Sequence, residues 1–186
     1  MRQELKKHNL EVFTTQEFIN IFGLSSSVAA TKLTRYRQAG YLICPRRGVY
    51  YLGSEVEDKS KIANKVYSPS YISLDSALAK YDLIPETVYT LTSVTTKATR
   101  EFTDDQTVYR YYRIKKEAFT GYHQEDDTLW ADPEKAVVDY LYFVSQGKRE
   151  LNDRLRIKKI DQKKVLFYAK FFNNTRLNKL IKTIFK

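Results

Sequence analysis

The sequence predicts an α+β fold: a helix–helix–hairpin module at the N-terminus, then a mixed α/β region with antiparallel strands and C-terminal helices. Three observations carry this. Apolar residues recur at helical spacing in "TTQEFINIF" and "LSSSVAATKLTRYRQAG". Aromatic and β-branched residues fill both flanks of "YLICPRRGVYYLG", whose centre is turn chemistry. Beyond residue 61, segments of strand period give way to apolar stripes of helical period.

The elements follow in order. Thr14 and Glu17 stand at capping-box spacing, Phe18, Ile21 and Phe22 make a helical stripe, and Gly23 suits the left-handed stop. Ser25 is an N-cap for the next helix, and Gly40 closes it. Val28, Ala29, Leu33 and Tyr36 are expected to face the first helix. Ser26, Ser27, Ala30, Thr31, Thr34 and Arg35 form the opposite face. Two strands then flank Arg46 and Arg47, placed at a hairpin tip.

The polar stretch 54–61 reads as a linker, dividing the chain into 1–53 and 62–186. "SKIANKVY" suggests a helix, and Ser73 is expected to cap another over Leu74 to Lys80. "TVYTLTSVTT", "TREF" and "TVYRYYRIK" read as antiparallel strands, the last two joined by a turn at residues 104–106. "DPEKAVVDYLYFVSQ" is a helix with Asp132 as cap and Pro133 in the first turn. The tail reads as two helices broken at Asn173-Asn174.

Composition narrows the function. No run approaches the roughly 18 apolar residues of a membrane span, and the charged start "MRQELKKHNLEVF" is unlike a secretion signal. A cytoplasmic protein without membrane partners is expected. One cysteine, Cys44, leaves no internal disulfide. The net charge is +10, unevenly spread: residues 1–53 carry +5, residues 54–127 carry −3, and residues 128–186 carry +8. Two basic blocks of this kind suit an anionic partner such as nucleic acid, although solvation alone also accounts for surface charge.

Two helices joined by a Gly-Leu-Ser turn and followed by a hairpin describe a winged helix-turn-helix. Its second helix enters a major groove, and its wing lies on the flanking backbone. Small side chains at Ser26, Ser27, Ala30 and Thr31, with Thr34 beside them, allow close approach to base edges. Arg35 and Arg37 are placed for phosphates. Arg46 and Arg47 are expected to stay unpaired within the chain because their counter-charges are on double-stranded DNA. The same module also serves protein–protein contact, with its polar face simply solvated.

Residues 13–53, 62–86 ("IANKVYSPSYISLDSALAKYDLIPE"), 88–95 ("VYTLTSVT") and 131–141 ("ADPEKAVVDYL") resemble the AbiEi-type antitoxins. The likeness covers residues 13 to about 145, and Asp82 stands where that pattern often has a glycine. It implies a winged helix that binds operator repeats and represses its own operon. It further implies a second domain that counteracts a nucleotidyltransferase-type toxin, in the type IV manner without a stable complex. Tyr71, Ser73, Ser76, Glu134, Lys135 and Asp139 lie in the matching motifs and are expected on an antitoxin surface. The competing account makes Ser73 and Asp132 caps and Tyr71 core. The other reading of the whole chain is an ordinary regulator whose second domain senses a ligand or binds a protein, with Tyr109, Tyr111 and Tyr112 lining a pocket.

Catalysis has little support. His8 and His123 are far apart, Cys44 sits in a strand, and six glycines make no phosphate loop. Asp104-Asp105 and Glu125-Asp126-Asp127 read as solvated turns rather than a magnesium site. No cofactor and no enzymatic activity are expected.

Overall fold

A computed structural model describes residues 2–8, 10–53, 56, 58–104 and 107–185. It is a mixed α and β structure, with eight α-helices and two sheets among the described residues. The N-terminal unit runs α1 (Arg2–Lys7), β1 (Val12–Thr14), α2 (Thr15–Phe22), α3 (Ser26–Gln38), β2 (Leu42–Arg46) and β3 (Val49–Leu52). Next come α4 (Ser60–Val66), β4 (Ser70–Ile72), α5 (Asp75–Lys80), β5 (Thr90–Thr95), β6 (Arg100–Thr103) and β7 (Val108–Arg113). The chain closes with β8 (Tyr122–Glu125), β9 (Thr128–Ala131), α6 (Pro133–Ser145), α7 (Gln162–Lys170) and α8 (Thr175–Ile184).

Local chemistry sets the helix ends. The Thr14 hydroxyl accepts from Glu17 N (3.2 Å), and the Glu17 carboxylate accepts from Thr14 N (2.6 Å), so two free N–H groups are satisfied at once. Ser25 caps α3, and Gly23 adopts φ 58° between the helices. Asn174 caps α8 after Asn173 turns left-handed at φ 43°. Asp82 also takes a left-handed φ of 55°, the conformation that a glycine at this place would adopt.

Three local expectations change. Ser73 does not cap α5, because its hydroxyl bonds to Asp139 at 2.8 Å. Asp132 occupies the N-cap position of α6, but its carboxylate accepts from Tyr168 OH (2.8 Å) and lies 2.9 Å from His123 Nδ1. Val28 is 44% exposed and points away from the core. The expected turn at 104–106 falls partly outside the described residues.

The small sheet has order β1-β3-β2, all antiparallel. Successive side chains of a strand point to opposite faces, and here both faces are apolar. Phe13, Leu42 and Leu52 meet Phe18, Ala29 and Leu33 beneath the two helices. Val12, Val49 and Tyr51 belong instead to the core of the second unit. The sheet is therefore buried on both sides, and the two units share apolar packing.

The larger sheet has order β6-β7-β5-β4-β9-β8. It is mixed rather than antiparallel: β5 pairs with β7 in parallel, as β4 does with β9. β1, β4, β8 and β9 are short, and none was expected from the sequence. The cross-strand set Tyr71, Val94 and Tyr112 shares one face. Tyr71 bonds to Asp139 of α6, and Tyr112 packs on Phe143 of α6. On the other face Tyr111 donates to the Ala63 carbonyl of α4 at 2.6 Å, and Tyr109 shares Asp104 with Tyr51 of β3. α6, carrying α7 and α8, and the N-terminal unit thus lie on opposite sides of this sheet.

Candidate nucleic-acid interface

Helical spacing puts Ser27, Thr31, Thr34 and Arg35 on the side of α3 opposite Ala29 and Leu33, with Ser26, Ala30 and Arg37 along the flank of that buried stripe, and the structure leaves all seven exposed. The core residues set this orientation: with Ala29 and Leu33 sealed beneath α2 and the sheet, the small polar residues face outward. Thr31 donates its hydroxyl to Ser27 O at 3.0 Å, and the Ser25 and Ser27 hydroxyls lie 3.2 Å apart. Both arrangements keep hydroxyl lone pairs available to an incoming donor.

Arg35, Arg37 and Arg47 are exposed and make no guanidinium hydrogen bond or ion pair with any described residue. Lys32 is equally unpaired on the flank beside Arg35. It was missed in the sequence because it falls between the ridge and the buried stripe. Arg47 and Gly48 form the hairpin turn, with Gly48 at φ 86°. The Gly48 carbonyl accepts from Thr15 N at 3.0 Å, which ties the tip to the start of α2.

Arg46 does not share that freedom, contrary to expectation. Its guanidinium donates to Val66 O at 2.8 Å and lies over the rings of Tyr67 (5.5 Å) and Phe102 (5.6 Å). The physical reason is the pleat: Arg46 closes β2 on the side facing α4 and β6, whereas Arg47 is in the turn itself. Arg46 holds the hairpin against the second unit by a charge-assisted bond and cation–π contact.

Lys65 makes a second tie, donating to Val12 O (2.8 Å) and pairing with Glu17 (3.2 Å). Burial raises the Glu17 pKa, but the Thr14 N–H and the Lys65 ammonium outweigh it, leaving the carboxyl below its usual value.

The residues expected on an antitoxin surface are not on a surface. Tyr71, Ser73, Lys135 and Asp139 have no accessible area, and Ser76 and Glu134 have under a tenth. Lys135 and Asp139 are an i,i+4 ion pair inside the core of the second unit. The other Asp139 oxygen accepts from Tyr71 OH (3.0 Å) and Ser73 Oγ (2.8 Å). The Lys135 ammonium lies over the rings of Phe172 (4.9 Å) and Tyr71 (5.4 Å). Burial drives the Asp139 pKa up and that of Lys135 down, and their mutual attraction opposes both shifts. Ser76 joins α5 to β5, donating to Thr90 O (3.1 Å) and accepting from Thr92 N (2.8 Å). Glu134 Oε1 is 3.4 Å from Asp161 N. Two separate sequence motifs are thereby joined in one polar knot, which is a structural role.

Tyr109 and Tyr111 are sealed in the sheet core, while Tyr112 lies under Arg149 and borders surface clefts with it. A different cavity, of about 840 Å³, is lined by Tyr81, Leu83, Glu134, Leu155, Arg156 and Ile160 among others. Asp104 accepts from Tyr51 (2.9 Å), Tyr109 (3.0 Å) and Thr107 N (2.8 Å). No group of three metal-ligating side chains stands together among the described residues. No described helix is long and apolar enough to cross a membrane.

No protein-family model matches the chain, and no curated protein does either. The likeness to AbiEi-type antitoxins therefore rests on the quoted motifs.

Proposed function

We propose that the chain is a DNA-binding regulator whose first 53 residues act as a winged helix. In this reading α3 enters the major groove of duplex DNA, and Arg47 lies on phosphates flanking it. One observation carries it: an exposed ridge of small hydroxyl and methyl side chains beside three arginines that have no ion pair among the described residues. Small residues permit close approach to base edges, and unpaired guanidiniums release counter-ions from the duplex on contact. Arg46 is withdrawn from the interface and assigned to holding the wing.

The resemblance to AbiEi-type antitoxins extends this proposal. The operator would be repeats in the chain's own promoter, and the second unit would counteract a nucleotidyltransferase-type toxin without a stable complex. The buried motif residues then serve the folding of that unit, and any effect on the toxin comes from other residues. The cavity beside Tyr81 and Arg156 favours a second reading, an ordinary regulator with a ligand-sensing domain.

Promoter DNA from the chain's own gene tests the first claim. Retarded migration at about 0.15 M salt is expected, with sequence preference altered by Ser27→Ala or Thr31→Ala. Equal affinity for every duplex in both variants and wild type would remove α3 from the account. Growth rescue on co-expression with a neighbouring nucleotidyltransferase-type gene tests the antitoxin claim, and no rescue would leave the ordinary regulator.

A further inference from the structure

After Asp161 the sequence contains no acidic residue, and this segment forms α7 and α8. Lys163, Lys164, Lys170, Arg176, Lys179 and Lys182 are all exposed, and none has an ion pair among the described residues. Solvation alone explains isolated cations on a helix. It does not explain what lies between them. Leu166 is 37% exposed and Phe167 53% exposed, so the lysines on α7 surround apolar surface.

The Phe167 ring is held edge-on by Tyr168 (5.5 Å) and Phe171 (5.3 Å), giving it a fixed plane with an open side. Underneath, Phe172 packs on Tyr142 of α6 at 4.4 Å, and Leu177 and Ile181 bury the inner stripe of α8. The exposed ring thus stands on helices whose inner faces are anchored in the core.

We propose that the outer face of α7 and α8 binds single-stranded nucleic acid, with a base stacked on Phe167 and phosphates on Lys163, Lys170 and the α8 cations. Charge excludes an acid-poor or neutral partner as the best fit, because repulsion among these cations is relieved by a polyanion. The exposed ring selects the single strand: an unpaired base offers a free π-face, whereas duplex bases are already stacked. The site lies across the larger sheet from α3, so it is separate from the proposed duplex interface and does not depend on that reading.

The test is fluorescence anisotropy of a labelled 12-nucleotide oligo(U) with the full chain at about 0.15 M salt. Phe167→Ala should weaken binding about tenfold, the scale of one lost base stack. Phe167→Trp should retain it, and Lys163→Ala with Lys170→Ala should weaken it and flatten its salt dependence. Arg47→Ala should leave it unchanged, and excess unlabelled duplex should not displace the oligonucleotide. Unaltered affinity in Phe167→Ala, with the Trp130 fluorescence melt as in wild type, overturns the proposal. So does full displacement by duplex, which would place both ligands on one site. If duplex binding is absent while oligo(U) still depends on Phe167, this inference stands and the winged-helix reading falls.

Discussion

Arg46 and Arg47 are neighbours in the chain with opposite assignments. Arg46 contributes a charged hydrogen bond to a carbonyl and two ring contacts. Replacing it with alanine should cost about 1 to 3 kcal/mol, from the loss of these contacts. Thermal or urea unfolding measures this, and a variant as stable as wild type would show that the latch is idle. Asp139 lies at the other extreme of burial. Asp139→Ala strands Lys135 and orphans Tyr71 and Ser73, so about 3 to 5 kcal/mol should be lost. A loss below about 1 kcal/mol would mean that Lys135 reaches water or deprotonates at little cost. The tip arginines were legible from the sequence as cations at a turn, but their division was not. It depends on which side of the strand each side chain takes, and on the carbonyl of a residue twenty positions away.

Helix α2 carries a capping box whose glutamate also serves the junction with α4. The folded pKa of Glu17 lies below its unfolded value, so its ionised form is favoured by the fold. The stability it supplies is complete above the unfolded carboxyl value of about 4.3 and is lost as pH falls through the lower folded value. Wild type should therefore lose more stability than Glu17→Gln between pH 7 and 3, as followed by far-UV circular dichroism. Parallel loss in both proteins would remove Glu17 from the junction. The caps at Thr14, Ser25 and Gly23 were readable because capping is local chemistry within four residues, whereas at Asn173-Asn174 only the break between helices was read, not the cap that Asn174 supplies. The short strands were not, since β1, β4 and β9 are three or four residues long and are fixed by partners far along the chain. The parallel pairing of β5 with β7 was hidden for the same reason: composition reports a strand, but not the direction of its neighbour.

At the scale of the molecule, the unbroken apolar run Val49-Tyr50-Tyr51-Leu52 already held the clue that the small sheet is covered on both faces. A hairpin with one face in water would alternate. The two units should accordingly unfold together. Trp130, the single tryptophan, lies in the larger sheet, so its fluorescence and far-UV circular dichroism should give coincident transitions. Separate transitions would mean that the shared packing of Val12, Val49 and Tyr51 is weak. The charge blocks were legible as totals, and the shape of their surfaces was not. The large sheet puts the N-terminal cations and the C-terminal ones on different sides.

The salt dependence of duplex affinity tests the central claim most directly. For wild type and Arg47→Ala, the logarithm of the association constant is plotted against the logarithm of salt concentration from about 0.05 to 0.2 M. The slope should become shallower by about 0.9 in the variant, the value of one phosphate contact. Identical slopes for the two proteins, or a wild-type affinity that ignores salt, would contradict the assignment of this unit to the DNA backbone.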